Sequence, residues 1–520
     1  MTISAHIPEA VQCCREEILR RISVGHPGKG PLVSRSAAEA AIDLAVSRTI
    51  EQALHSDDEV DRWIGERRSS RPLDTTIIPL DRAEGWQIDA QTGNICHVSG
   101  KFFSITGIKA RHRTNAGELE WDQPIIDQPE IGILGILAMK IGGVLHFCLQ
   151  AKAEPGTIHA VQLSPTVQAT YSNYTGVHGG SLPPFVSYFL DPPKERIVFA
   201  KLQTEDGGRF LFKSNRNMIV QVDEGEIEAL PESFIWLTLR QISRLIRMDN
   251  VMNACCRSVL AGLFSGLIPN ADDWPADTKT GAEQQRDRDA GDRSASRSRE
   301  KIDPRVFEDG SWQSYADLVQ WIDDMKSGNH MFQQRVPLKL LRDWHFDGNG
   351  RLVYRLYRYF TIVGLQVTSS GREVASWCQP ILDNISTGMI GLLVRRGRSG
   401  PEFLMQAKAE VGNRGTIQLA PTVQFTQENY LDNEKLSKPF LFKEFLKPGR
   451  FTLYAETRQS EEGARFYREE HVHRILMLPE HHDLEIPQDF RWLTTDELRF
   501  LLQMGEQVNS CARSILACLI

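Results

Sequence analysis

Residues 133–140 form an almost unbroken apolar run, Ile141-Gly142-Gly143 interrupts it, and residues 144–153 resume it. Two short apolar runs joined by a glycine pair predict a strand, a tight turn and a strand. Residues 160–170 then alternate, with Gln162, Ser164, Thr166 and Gln168 on one side and Leu163, Pro165 and Val167 on the other. That period of two predicts a third strand with one polar face. Residues 238–264 change period: apolar positions recur at helical spacing behind a T-x-x-Q start (Thr238, Gln241), so one capped amphipathic helix is expected.

The whole pattern occurs twice. Shifting the chain by 256 positions lays QAKAEPGTIHAVQLSPTVQATYSNY on QAKAEVGNRGTIQLAPTVQFTQENY, identical at 15 of 25 positions. The same shift carries Trp236-Leu237-Thr238 onto Trp492-Leu493-Thr494, and Asn253, Cys255, Arg257 and Ser258 onto Asn509, Cys511, Arg513 and Ser514. A further capping pair, Thr494 and Glu497, closes the second copy. Each copy is expected to be a complete domain of about 200 residues. Between them, residues 270–300 carry almost no large apolar side chain, too little to offset the entropy of ordering, which predicts a flexible charged linker. The expected layout is an N-terminal repeat at 1–265, a linker at 266–303 and a C-terminal repeat at 304–520. The expected fold class is α+β: a tandem duplication in which each copy builds an antiparallel-rich mixed sheet flanked by helices.

Composition narrows the function. A net charge of -7 lacks the cationic excess that phosphate backbones select, so nucleic acid is not an expected partner. Nine scattered cysteines without C-x-x-C spacing suit reduced thiols in the cytoplasm. The start, MTISAHIPEAVQCCREEILRRI, reads as an amphipathic helix rather than a secretion signal, and no run is long and apolar enough to span a membrane. No G-x-G-x-x-G, Walker lysine or G-x-S-x-G occurs, and the histidines lack metal-ligand spacing, so neither a nucleotide redox cofactor nor a metal is expected.

Candidate chemistry lies on the repeated pentapeptide QAKAE. On a strand, Gln150, Lys152 and Glu154 share a face; paired across Gly156 with the following strand, they form a ledge with Gln162, Thr166 and Gln168. Uncharged amides around one Lys and one Glu suit a polyhydroxylated ligand, while an ordinary solvent-facing sheet with a charge pair remains the competing reading. The second copy repeats the ledge with Gln406, Lys408, Glu410, Gln418, Thr422 and Gln424. Arg257 and Arg513, one helical turn beyond Asn253 and Asn509, either fix helix packing or reach a diphosphate.

W-x-Q-P-I at 121–125, QAKAEPGT at 150–157 and QLSPTVQATYSNYTGVHGG at 162–180 resemble the NDP-hexose 2,3-dehydratase family, through both repeats. The resemblance implies two domains similar to the Nudix hydrolase fold, a homodimer, and two nucleotide-sugar pockets per chain of which one is catalytic. It implies action on dTDP-4-keto-6-deoxy-D-glucose without metal or redox cofactor: proton abstraction at C3, loss of the C2 hydroxyl and formation of a 3,4-diketo-2,6-dideoxy sugar. An unstable product makes a downstream reductase or aminotransferase a plausible partner. Within that reading Glu154 is the expected base, Lys152 the cation at the enolate, and Tyr171 or Tyr174 the acid. Trp121, Gln150, Gln162, Thr166, Gln168, Ser172, Asn173, His178, Gly179, Gly180 and Arg257 are expected to bind substrate. Trp377, Asn429, Tyr430 and Arg513 join the second ledge. The first copy keeps the longer family-like run and is the expected catalytic one. Competing functions are a nucleotide-sugar carrier without catalysis, and a ketoisomerase or epimerase on the same substrate.

Overall fold

The computed structural model describes residues 11–16, 35–70, 72–114, 117–174, 182–266, 315–370, 374–384, 386–398, 400–413, 417–431, 436–480 and 482–520. The expected linker, apart from Gly266, and His178, Gly179 and Gly180 lie outside these residues. The described chain is α+β, with two seven-stranded and two five-stranded sheets.

In the first seven-stranded sheet the order is Ile197–Thr204, Ser214–Val222, Gly132–Ile141, Val144–Lys152 and Phe234–Thr238. All its pairs are antiparallel except that between Ser214–Val222 and Gly132–Ile141. The C-terminal repeat builds the same sheet from Thr452–Ser460, Glu470–Met477, Gly388–Arg396, Pro401–Ala409 and Phe490–Thr494. The predicted strand, turn and strand form as expected, at Gly132–Ile141 and Val144–Lys152.

The third strand does not form in one piece. The hairpin arms pair only from Leu137↔Cys148 to Ile141↔Val144 and then splay. Gln162–Pro165 pairs with one arm and Val167–Ala169 with the other. Thr166 sits at the fork, where its hydroxyl donates to the Cys148 carbonyl (2.5 Å) and accepts from the Leu137 amide (3.0 Å), satisfying the backbone groups that the splaying frees. Thr422 does the same between Leu404 and Leu393.

The expected single helix is also broken. Leu239–Leu245, with the predicted Thr238/Gln241 capping box, is followed by a left-handed Asn250 (φ 54°) and then by Ala254–Leu260. Between the helices the chain returns to the sheet: Leu163 N donates to Val251 O and Asn253 N to Leu163 O. Asn253 then caps the second helix, accepting from Cys256 N at 2.8 Å. Periodicity runs straight through the interruption because both helices bury faces against the same core.

The repeats are interlocked in a way that the duplication alone does not suggest. Leu73–Ile78 pairs with Phe360–Ser369 of the other repeat, and His330–Val336 pairs with Ser104–Thr114. Gly107 and Gly364 permit this exchange, since a Cβ at either would lie 2.9 Å from a carbonyl oxygen of the incoming strand. The largest apolar core runs across both repeats, joining Phe147, Leu237 and Ile242 to Phe403, Leu493 and Leu516. All nine cysteines are free thiols. Among the described residues no helix is long and apolar enough to cross a membrane.

Candidate active site

The ledge forms as a hydrogen-bonded chain. Lys152, opposite Gln162 in the sheet, donates from Nζ to the Gln168 carbonyl at 3.1 Å. The Gln168 amide donates to Glu154 Oε1 at 2.8 Å and accepts from Asn253 Nδ2 at 3.0 Å. Gln168 is therefore gripped on both sides, which fixes Glu154 in turn. Glu154 is 7% exposed, and its Oε2 has no partner among the described residues. A buried carboxylate oxygen left unpaired is costly, and such atoms mark places where a ligand or a proton is meant to come.

The second ledge repeats the chain, with Lys408 to Gln424 O (3.3 Å), Gln424 to Glu410 Oε1 (2.9 Å) and Asn509 to Gln424 Oε1 (3.0 Å). It differs at one atom: Glu410 Oε2 accepts from Asn413 Nδ2 at 3.1 Å. The corresponding position of the first copy is Thr157, whose hydroxyl accepts from the Glu154 amide instead. One carboxylate is thus free on one side and the other is tied on both.

Each ledge is walled by a loop of the opposite repeat. Gly156, two residues past Glu154, donates to Gly463 O (2.6 Å) and accepts from Arg468 N (2.8 Å). Gly412, two past Glu410, donates to Gly207 O and accepts from Phe212 N, both at 2.7 Å. Glycine is required here: a Cβ at 156 would fall 1.8 Å from Phe466 O, and at 412 only 1.7 Å from Phe210 O. The loops are TEDGGRF at 204–210 and SEEGARF at 460–466. They bring the charges of Glu462 and Arg465 near Glu154, and that of Asp206 near Glu410. Burial pushes the Glu462 carboxyl up to about 7, with Arg465 opposing and Glu205 and Glu154 adding repulsion. Asp206 is likewise raised to about 7, by burial and then by Glu410.

The mouths of the two pockets differ in charge. Beside the first, Lys213 donates to the Glu130 carbonyl, Ser172 Oγ donates to Glu130 Oε2 at 3.0 Å, and Arg216 lies near Tyr174. Lys213, just before the strand Ser214–Val222, and Arg216 within it correspond to Glu469, just before Glu470–Met477, and Val472; the equivalence is seen where Asn215 and His471 accept from the Gly132 and Gly388 amides. A cation in one pocket becomes an anion in the other. Tyr171, 53% exposed, meets Tyr174 edge to face at 5.4 Å, and Asn173 N donates to Thr170 O in the same turn. Burial pushes the Tyr174 phenol up, so it holds its proton more tightly. Tyr430 instead packs on Phe425 and Phe442, while Asn429 N donates to Thr426 O.

Several residues expected at the ligand have other duties. Thr166 and Thr422 hold the forks. Gln162 donates to Asn250 O in its own repeat and to Ser460 Oγ across the repeat interface, and Gln418 donates to Glu506 O in its own repeat and accepts from Thr204 Oγ1 across it. Arg257 and Arg513 are 0% and 1% exposed, and their guanidinium groups bond within the protein. Arg257 donates to Ser514, Met252 O, Gln459 and Ser460 O; Arg513 donates to Ser258, Val508 O and Thr204 O. Trp121 donates to Gln123, which donates to Gly208 O; Trp377 donates to Gln379, which donates to Ala464 O. The W-x-Q motif is thus a strut for the loop that enters the opposite pocket. Gln150 is half-buried opposite Ser164, and Gln406 donates to Asp489. Sequence reading missed Glu462, Arg465, Lys213 and Asp206, although E-[D/E]-G-x-R-F recurs at the same 256-residue shift as the pentapeptide.

The profile of the NDP-hexose 2,3-dehydratase family matches residues 57–263 and again 315–519. A Saccharopolyspora spinosa protein named dTDP-4-dehydro-6-deoxy-alpha-D-glucopyranose 2,3-dehydratase is 38% identical over 458 residues, covering 88% of this chain and 90% of its own. Proteins of the same name from Amycolatopsis orientalis (35% over 469 residues, 89% and 90% covered) and Streptomyces violaceoruber (35% over 459 residues, 88% and 95% covered) are similarly related.

Proposed function

The chain belongs to the NDP-hexose 2,3-dehydratase family, and from that premise we propose that it removes water from dTDP-4-keto-6-deoxy-D-glucose in deoxysugar biosynthesis. The observation that carries the choice of site is Glu154: buried, aligned through Gln168, and with one oxygen unpaired where Glu410 is tied by Asn413. In this reading Glu154 takes the C3 proton that the C4 ketone acidifies, and Lys152 steadies the enolate oxygen. General-base assistance of this kind is worth about 10²- to 10⁴-fold, and a preorganised cation or donor at the oxyanion about 10²- to 10³-fold. Gln150 orients sugar hydroxyls, Tyr171 and Tyr174 offer faces to the ligand at the mouth, and Lys213 and Arg216 supply cations for a diphosphate. The second ledge, with Glu469 and Val472 in place of those cations, is a weaker nucleotide-sugar site.

The finer assignments accompany this reading: a Nudix-like fold for each repeat, domains at 1–265 and 304–520, a homodimer in the cytoplasm, and hand-over of the product to a reductase or aminotransferase. The test is incubation with dTDP-4-keto-6-deoxy-D-glucose in deuterated water without added cofactor, followed by mass spectrometry and NMR. Loss of one water is the expected result. Deuterium uptake without water loss would instead indicate isomerisation or epimerisation, and binding without either change would indicate a carrier.

A further inference from the structure

Elimination from a 4-keto sugar needs an acid as well as a base, because hydroxide is a poor leaving group. The acid must be protonated near neutrality, must reach the pocket of Glu154, and must not have its proton engaged elsewhere. Tyr171 lies at the exposed lip, and the Tyr174 phenol, protonated at neutrality, is made a still weaker acid by burial. Lys213 is anchored to the Glu130 carbonyl. One group from the other repeat meets the conditions. Gly463 packs directly on Glu154, so close that a Cβ there would lie 3.0 Å from Glu154 Cβ, and the adjoining Glu462 carboxyl is near enough to feel the charge of Glu154. Glu462 also lines a small cavity between the repeats, shared with Glu205, Asp206 and Arg513, and among the described residues no donor bonds its carboxyl.

We propose that Glu462, carried into the N-terminal pocket by the C-terminal repeat, is the catalytic acid that protonates the departing C2 hydroxyl. This rests on the dehydratase reading of that pocket. Glu154 takes the C3 proton as the enolate forms; the enolate electrons then make the C2–C3 double bond while the C2–O bond breaks and the oxygen takes the Glu462 proton, leaving as water. Tautomerisation returns a proton to C2 from Glu154 and passes the C3 enol proton to the Glu462 carboxylate, so both groups are restored. Burial and the facing charges of Glu205 and Glu154, against Arg465 and Lys213, keep the Glu462 proton in place up to about pH 7.

The experiment compares dTDP-4-keto-6-deoxy-D-glucose with its 2-deoxy-2-fluoro analogue, whose fluoride departs without a proton. Glu462→Gln is expected to lose at least 100-fold in kcat on the hydroxyl substrate and under about 3-fold on the fluoro analogue. Wild-type water loss is expected to fall as pH rises past about 7, a limb absent from fluoride loss. Unchanged water loss in Glu462→Gln, or equal loss on both substrates, would overturn the assignment, the second outcome meaning a merely structural role. Wild-type protein that eliminates neither water nor fluoride would overturn the dehydratase reading itself.

Discussion

Single atoms separate the residues of one ledge from their copies in the other. Glu154 and Glu410 occupy the same place in the same motif, yet only Glu410 has Asn413 on its second oxygen. Glu154→Gln is expected to lower kcat by about 10²- to 10⁴-fold, the range for a general base, whereas Glu410→Gln leaves it within about 3-fold; steady-state kinetics on the two variants checks this. His146 shows how burial sets a charge state rather than a function. Its ring donates from Nδ1 to Val144 O (2.9 Å) and accepts from Leu54 N, which fixes a neutral tautomer, and burial lowers its pKa to about 4. The folded value lies below the unfolded one, so the stability contribution is full above pH 6.5 and is lost as pH falls through 6.5 towards 4, by roughly 3 kcal/mol. Urea titrations across that range are expected to show this slope, and His146→Asn is expected to flatten it whatever its effect at pH 8.

At the scale of elements, what was legible in the sequence was what is decided locally. The hairpin at 132–152 follows from two apolar runs and a glycine turn, and the Thr238 and Thr494 caps from side chains bonding amides three residues on. The fork at Thr166 and the helix break at Asn250 depend on which strand lies alongside, and the alternation of residues is the same whether the strand continues or divides. The ledge was legible because Lys152, Glu154 and Gln168 lie within 17 residues of one another, at a strand end and on the segment that returns from it; Glu462 was not, because it arrives from a loop about 300 residues away. The W-x-Q strut makes that loop's placement testable. Gln379→Ala removes the bond to Ala464 O and is expected to loosen the loop beside Glu154, lowering kcat several-fold, while Gln123→Ala, acting on the loop at Glu410, leaves kcat near wild type. A single bond of this kind stabilises by about 1 kcal/mol, so both variants are expected to fold; equal effects from the two would show that the struts serve stability alone.

The interlocking of the whole molecule explains why the pentapeptide and its glycine stand in both copies even if one pocket does the chemistry. Each turn after QAKAE is held by the opposite repeat, Gly156 by Gly463 and Arg468, and Gly412 by Gly207 and Phe212. Arg257 and Arg513 cross the same boundary to Ser514 and Ser258, and Phe210 meets Phe466 between them at 6.0 Å. The second copy is therefore a wall of the first pocket before it is anything else. Changes in it divide into two classes by what they touch. Lys408→Ala removes a ledge cation but no contact between the repeats, so turnover is expected to stay within about 3-fold and the unfolding midpoint to move little. Gly412→Val drives a side chain into the Phe210 carbonyl, on a loop joined through Phe210 and Phe466 to the one that presents Glu462. Overpacking of a tight contact costs about 1–3 kcal/mol, and because the largest core and two of the sheets are shared, the loss is expected as a single transition shifted to lower denaturant, with kcat reduced in the distant pocket as well. Two separate transitions, with the N-terminal pocket unaffected, would mean that the repeats fold and act independently.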